Sequence, residues 1–466
     1  MKDNAVPKPA APASPSARAE LLVAADGSGQ YRDIGAALHD APEGALIRVL
    51  PGLYREQLVI DKPLAVVGDG PAGSVVLECD SSEALVFTSH DVSVRGLTVR
   101  CTAGAKGLRV CGVLVLGRVL LEDCDITCDS LACLMVDGPE ADPVVRRCRV
   151  HDGNQCGVLL YREARGLFEE CDLSENTLAD MEVRDGSDPV VRKCEICSFS
   201  VFDQGRGTFE DCDIFGNELT SIDIKAGGDP VVRRCTIRDS KESGVVVQEQ
   251  GRGTFEDCDI FGNGLSGIEV KEGGDPVVRR CKIHDGLGGG IMVGQEGRGT
   301  FEECDIFANG LTGVEVKEAG DPVLRRCKIH DGNAGGIMAW QQGRGTFEDC
   351  DVFANALAGM EVSEGADPIV RRCSIHDGRQ GGVFVHADGR GTFEDCDLFA
   401  DARVGMAVWG SGNPVVRRCK IHDNKEAGVM LRAQGTGTFE DCELWGHNGK
   451  NFDNGGEEVK REDVKT

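Results

Sequence analysis

The sequence predicts an all-β chain, a single-stranded right-handed parallel β-helix of about 17 coils of about 23 residues with a helical N-terminal cap. Three observations predict it. Cysteines recur along the chain from Cys79 through Cys101, Cys124 and Cys148, and from Cys212 to Cys442 every step is 23 residues. Around each of them apolar and polar residues alternate, as in Phe255-x-x-Cys258-x-Ile260 followed by Gly267-Ile268-x-Val270, which is the period of a strand and not of a helix. Finally, two coil types take turns: Gly251 to Phe261 reads Gly-Arg-Gly-Thr-Phe-Glu-Asp-Cys-Asp-Ile-Phe, and Asp275 to Gly286 reads Asp-Pro-Val-Val-Arg-Arg-Cys-Lys-Ile-His-Asp-Gly.

Taken in order, residues 1–20 are rich in Pro, Ala and Ser without an apolar run, and are expected to form a disordered tail rather than a secretory signal. Residues 21–70 hold the cap and first coils, with a short amphipathic helix at Arg32 to His39 whose Ile34, Ala37 and Leu38 plug the open end of the rod. Coils continue to His447, and residues 448–466 form a polar tail. The column cysteines are expected to point inward as small hydrophobes. One thiol per coil along a line does not converge on a metal, and no cofactor is expected.

Stacking sets Glu256-Asp257 against Arg233-Arg234 and Arg279-Arg280, so a slip of one coil would oppose like charges. One residue past the cysteines, Asp259, Lys282, Asp305 and Lys328 are expected to pair in the same way. His284, His330, His376 and His422 alternate with Phe261, Phe307 and Phe353 in one slot, which reads as a stacked column rather than a catalytic site. The coil from Cys194 to Cys212 has only 18 residues and suggests a dent in the wall.

Ala25-Asp26-Gly27-Ser28-Gly29-Gln30-Tyr31, Pro51-Gly52-Leu53-Tyr54-Arg55-Glu56 and Val67-Gly68-Asp69-Gly70 resemble the first coils of pectin methylesterases. Asp213-Ile214-Phe215-Gly216-Asn217 echoes a motif of that family, without matching Gln and Arg motifs. The resemblance implies the fold. Over residues 140–447, runs such as Arg325-Arg326-Cys327-Lys328-Ile329-His330-Asp331-Gly332 look like the β-helical region of the family of F-box only protein eleven, with Cys where that family usually has Asn. That resemblance implies recognition of a protein target for a ubiquitin ligase.

A net charge of −27 disfavours nucleic acid and anionic membranes. No apolar run reaches the ~18 residues of a membrane span. The 22 cysteines without an export signal point to a reducing, cytoplasmic setting. The expected ligand face is the outward side of the second φ-x-φ strand. There Met292, Met338, Phe384 and Met430, interleaved with Trp340, His386, Trp409 and Arg432, are read as one exposed apolar patch. The leading expectation is a non-catalytic scaffold holding a protein partner, or a glycan stacked on the tryptophans. The alternative is a carbohydrate-active protein of the pectin-esterase or lyase type, which needs carboxylates with Arg or Gln at one unrepeated spot.

Overall fold

The computed structural model describes residues 18–454 and 460–462. Over them the chain winds into a parallel β-helix of about 19 turns. A regular turn carries three strands, for example Val277–Arg279, Lys282–His284 and Ile291–Val293. Each lies in register on its copy one turn on: Val277 on Thr300, Lys282 on Asp305, Ile291 on Val314. Three parallel sheets of 20, 18 and 18 strands result, called first, second and third in chain order. The turn count exceeds the expected 17 because turns precede the first cysteine of the column.

Local chemistry sets this shape. The first and second strands are separated by a sharp bend in which one residue, such as Arg280 at φ 51°, adopts the left-handed conformation. The next residue, Cys281, is buried, and its Sγ–H faces the Arg279 and Phe255 carbonyls at 3.3 and 3.6 Å. The central residues of the first two strands and the outer residues of the third fill the lumen, and Val278, Ile283, Ile291 and Val293 are all 0% exposed. Between the second and third strands a buried Asn recurs every second turn. Asn309 Oδ1 accepts from the Gly286 N–H at 3.2 Å, and its Nδ2 donates to the Ile283 carbonyl at 3.1 Å.

Two expectations about columns are corrected. Cys79 and Cys101 do not belong to the long cysteine column. Cys101 stands in register with Cys128 and Cys79, so these three form a short column of their own. Thr98 pairs with Asp125, which puts Leu97 where Cys124 stands one turn later. The arc carrying the short 3-10 helix Ala103–Lys106 is lengthened, so equal spacing along the chain does not mean equal position. Secondly, Asp259 lies in register with Lys282 but accepts from His284 Nε2 at 2.9 Å instead.

The alternating charges do form ladders. Arg279 Nε meets Glu302 at 3.0 Å, and Arg280 Nε meets Asp257 at 2.8 Å. Arg325 sits between Glu348 at 3.1 Å and Glu302 at 3.7 Å. Arg325→Glu would set three acids in a row, and is expected to lower the unfolding free energy by about 1 kcal/mol, less at high salt, in urea titrations.

The helix α1 (Ile34–Asp40) covers the N-terminal end with Ile34, Ala37 and Leu38 buried. No residue of its own caps it. The Glu56 carboxylate accepts from the Ile34 and Gly35 N–H groups at 2.7 and 2.8 Å, satisfying free donors at the positive end of the helix. Residues 1–17 of the expected tail lie outside the described residues, and Glu20 already opens the first strand. Strand pairing also continues past His447, through Phe452–Asp453 and Lys460–Glu462, so the expected polar tail is partly sheet.

Candidate functional site

The row of turns between the second and third sheets is interrupted at the short coil, while the third sheet itself runs on through Phe199–Val201. A regular turn spends six residues between its second and third strands, such as 285–290. Here only Cys197 and Ser198 separate Glu195–Ile196 from Phe199–Val201. The turns bearing Leu178 and Leu219 therefore stand on either side of a missing wall, and the gap is a cleft of about 770 Å³.

Two groups hold the short corner. Asp180, 1% exposed, accepts from Ser198 N at 2.8 Å with one oxygen and from Asn176 Nδ2 at 2.8 Å with the other. Burial pushes its carboxyl above the ordinary range in spite of these bonds. Inside the lumen, Phe199 stacks on Phe209 at 4.0 Å.

Leu178, Ala179, Leu219 and Val246 give the cleft a large apolar part, and beside them stand half-buried polar side chains that are tightly paired. Asp223 accepts from Lys225 Nζ at 2.7 Å and from Gln248 Nε2 at 2.9 Å. Glu269 holds Lys271 at 2.9 Å and the Ser243 hydroxyl at 2.9 Å. Burial acts to lower the Lys225 pKa, but the Asp223 carboxylate outweighs it and the ammonium is favoured. The Phe202 ring is overlaid by Arg184 and Lys225 at 5.8 and 5.6 Å. Fixed donors and acceptors in this density suit a ligand that offers many hydroxyls, each able to give and receive a hydrogen bond.

The eight residues expected to form one apolar patch fall into separate groups. Glu269, Met292, Glu315, Met338 and Glu361 follow one another in register, so acids break the patch. Met292 lies in a concavity of charged side chains with Lys271 and Lys317. The Trp340 N–H donates to Glu315 at 2.9 Å, and Lys317 overlies its ring at 5.7 Å. Where the acids end, Phe384, Ala407 and Met430 do adjoin. With Trp409 and Arg432 they line a hollow of about 240 Å³. His386 stacks on Trp409 at 4.7 Å, and Phe384 meets it edge-on at 5.5 Å. Of the eight, only Arg432 is exposed; the others are half-buried.

The histidine column is real. Phe261, His284, Phe307, His330 and Phe353 stack at 4.5–5.4 Å. Each of these imidazoles bridges two carboxylates, as His330 does between Asp305 at 2.9 Å and Asp331 at 2.7 Å. Among the described residues, His151, Asp152 and Glu175 come close enough to share a metal. Both nitrogens of His151 already meet Asp152 and Asp125, and Glu175 faces Arg149 at 3.6 Å, so the group is explained without one.

The pattern described as right handed beta helix region matches residues 84–201, 197–293, 266–413 and 380–460. The chain belongs to that family. This β-helix protein is also 30% identical over 103 residues to a pectinesterase/pectinesterase inhibitor (U1) of Solanum lycopersicum, a stretch covering 19% of this chain and 18% of that protein. It is 43% identical over 65 residues to pectinesterase/pectinesterase inhibitor 24 of Arabidopsis thaliana, covering 12% of each. The chain thus spans less than a fifth of the length of the relatives it matches. Solved structures with a partial likeness include pectin methylesterase from carrot, with TM-score 0.34 and 17% identity over 54% of this chain and 85% of that one. The Agl-KA catalytic domain gives TM-score 0.41 and 14% identity over 65% and 66%.

Proposed function

We propose that this β-helix protein binds carbohydrate chains, with the cleft over the short coil as the seat. The observation that carries the reading is that, beside the break in the row of turns, Asp223, Lys225 and Gln248 form a half-buried, mutually bonded set on an extended sheet face. Such a face can follow a linear polymer from rung to rung. The names of the two plant relatives support pectin as the first polymer to try.

The test is calorimetry with pectin oligosaccharides, methyl-esterified and free, alongside other plant and microbial glycans. Binding is expected, and Asp223→Ala with Lys225→Ala should weaken it about tenfold or more, since hydrogen bonds to charged groups contribute roughly 1.5–3 kcal/mol. Affinity untouched by the double change, or no binding across the panel, would sink the reading. Methanol release from the esterified polymer would add catalysis to binding.

A second reading, a protein partner held in the Phe384–Trp409–Met430 hollow, is favoured by the adjoining apolar side chains there. The F-box-type resemblance adds a partner class to that reading, a target protein, and rests on the repeat sequence alone. Trp409→Ala should abolish such binding without moving the melting curve.

A further inference from the structure

Leucines stand out from the turns between the second and third sheets, where nothing in the fold requires them. Leu265, Leu287, Leu311 and Leu357 are 53%, 77%, 60% and 41% exposed. Leu265, Leu311 and Leu357 stand seven residues past the column cysteine, where other coils hold Glu242, Ala334, Gln380 and Arg403, and Leu287 stands one place earlier in its turn, so polar residues fit there too. The turns pack closely on one another: a Cβ at Gly288 would lie 2.2 Å from the Leu265 carbonyl oxygen, and one at Gly310 2.3 Å from that of Leu287. The leucines therefore form a rigid apolar ridge rather than scattered exposed residues.

Its charges are arranged about a centre. The turns at 263–267, 286–290, 309–313, 332–336 and 355–359 contain no charged residue. Leu311 lies in the middle one. The flanking turn on one side carries Lys241 and Glu242 and that on the other carries Arg379, each three coils from Leu311, about 29 Å apart at ~4.8 Å per rung; Lys241 is neutralised by Glu218, which leaves Glu242 as the net charge of its turn. Among the described residues Glu242 and Arg379 have no ion-pair partner, unlike their neighbours Lys241 and Arg403. Beyond them lie Glu218, tied to Lys241, and Arg403, tied to Glu426. Asp285 and Asp331, at the edge of the ridge, are bound to His284 and His330.

We propose that this ridge is the contact of a two-fold dimer in which two copies of the chain lie antiparallel, with Leu311 meeting its own copy on the axis. An antiparallel two-fold brings Leu265 against Leu357, and the Glu242 turn against the Arg379 turn, twice over. A parallel arrangement would set each charge against itself. The apolar centre supplies the association, and the terminal charges select the direction.

Sedimentation velocity of the full chain over a wide concentration range tests it. A concentration-dependent dimer is expected, abolished by Leu311→Asp, which puts two carboxylates on the axis. Glu242→Arg alone should raise the dissociation constant at least several-fold, and Glu242→Arg with Arg379→Glu should restore it. With oxidised glutathione, Leu311→Cys should give a covalent dimer: two thiols join as one disulfide, and glutathione leaves as two reduced molecules. The native column thiols are buried and stay out of this exchange. A chain that is monomeric at every concentration, a dimer indifferent to Leu311→Asp, or a charge reversal not rescued by its counterpart would overturn the proposal.

Discussion

Replacing Asp401 by Asn is expected to raise the unfolding free energy at pH 7 by roughly 2–4 kcal/mol, at about 1.4 kcal/mol per pK unit. Asp401 occupies the buried Asn position of the turns and is 0% exposed. Its Oδ1 accepts from the Gly378 N–H at 2.9 Å, as Asn355 Oδ1 accepts from Gly332 at 3.1 Å. The second atom differs. Asn355 Nδ2 donates to the Ile329 carbonyl at 3.0 Å, whereas Asp401 Oδ2 is buried without a partner. The repeat puts the Ile375 carbonyl at the matching place, and only a protonated carboxyl can donate there. Burial accordingly pushes the Asp401 pKa up to about 8, with the Gly378 bond acting the other way and Asp377 adding to the rise. The folded value lies above the unfolded 3.8, so unfolding releases a proton between them. Stability is therefore full below about pH 4, falls as pH rises, and levels off above about pH 8. Asp401→Asn should remove this decline, and the gap between the two proteins should widen from pH 5 to pH 8 in urea titrations. A gap that stays constant with pH would mean Asp401 is ionised in the fold.

Much of this architecture can be read in the chain because the repeat samples each position many times. The inward cysteines, the Glu-Asp and Arg-Arg ladders, the aromatic column and the dent at the short coil follow from counting along 23-residue steps. Counting failed where an arc changes length. Cys101 precedes Cys124 by an ordinary repeat, yet it pairs with Cys128, since chain spacing reports the sum of the arcs and not the register of any one. The continuity of the expected apolar patch was misjudged for a different reason. Outward position was read correctly for Met292 and Met338, but each touches Glu neighbours above and below in a parallel stack, and a patch needs neighbours as well as orientation. The ridge had a visible signal that went unused: a leucine seven residues past the cysteine at Leu265, Leu311 and Leu357, inside turns rich in Gly and Asn where a polar residue is usual. How Asp223, Lys225 and Gln248 pair could not be seen, because it depends on side-chain reach across the opened wall.

Phe301→Ala is expected to cost about 3–5 kcal/mol, the largest loss for a single side chain of the lumen. Phe301 is 0% exposed and lies between Val278 and Leu324 on neighbouring rungs. Its aromatic copies, Phe255 and Phe347, stand two rungs away, so no second ring adjoins the hole to fill it. The backbone rungs on either side are pinned by strand pairing and by the Arg279–Glu302 and Glu302–Arg325 contacts, which leaves little room for collapse. In a solenoid each turn is stabilised mainly by its two neighbours, so a weakened rung in mid-rod also reduces the coupling between the halves. Calorimetry should then show the variant's unfolding broadening or dividing into two steps, while urea titration reads the loss. The outer face of the third sheet is not touched by the change, and glycan affinity measured below the first step should equal that of the parent chain. A loss under about 1 kcal/mol would show that the lumen does not depend on its phenylalanines, and that stacking of the rungs by hydrogen bonds and ion pairs is what holds the rod.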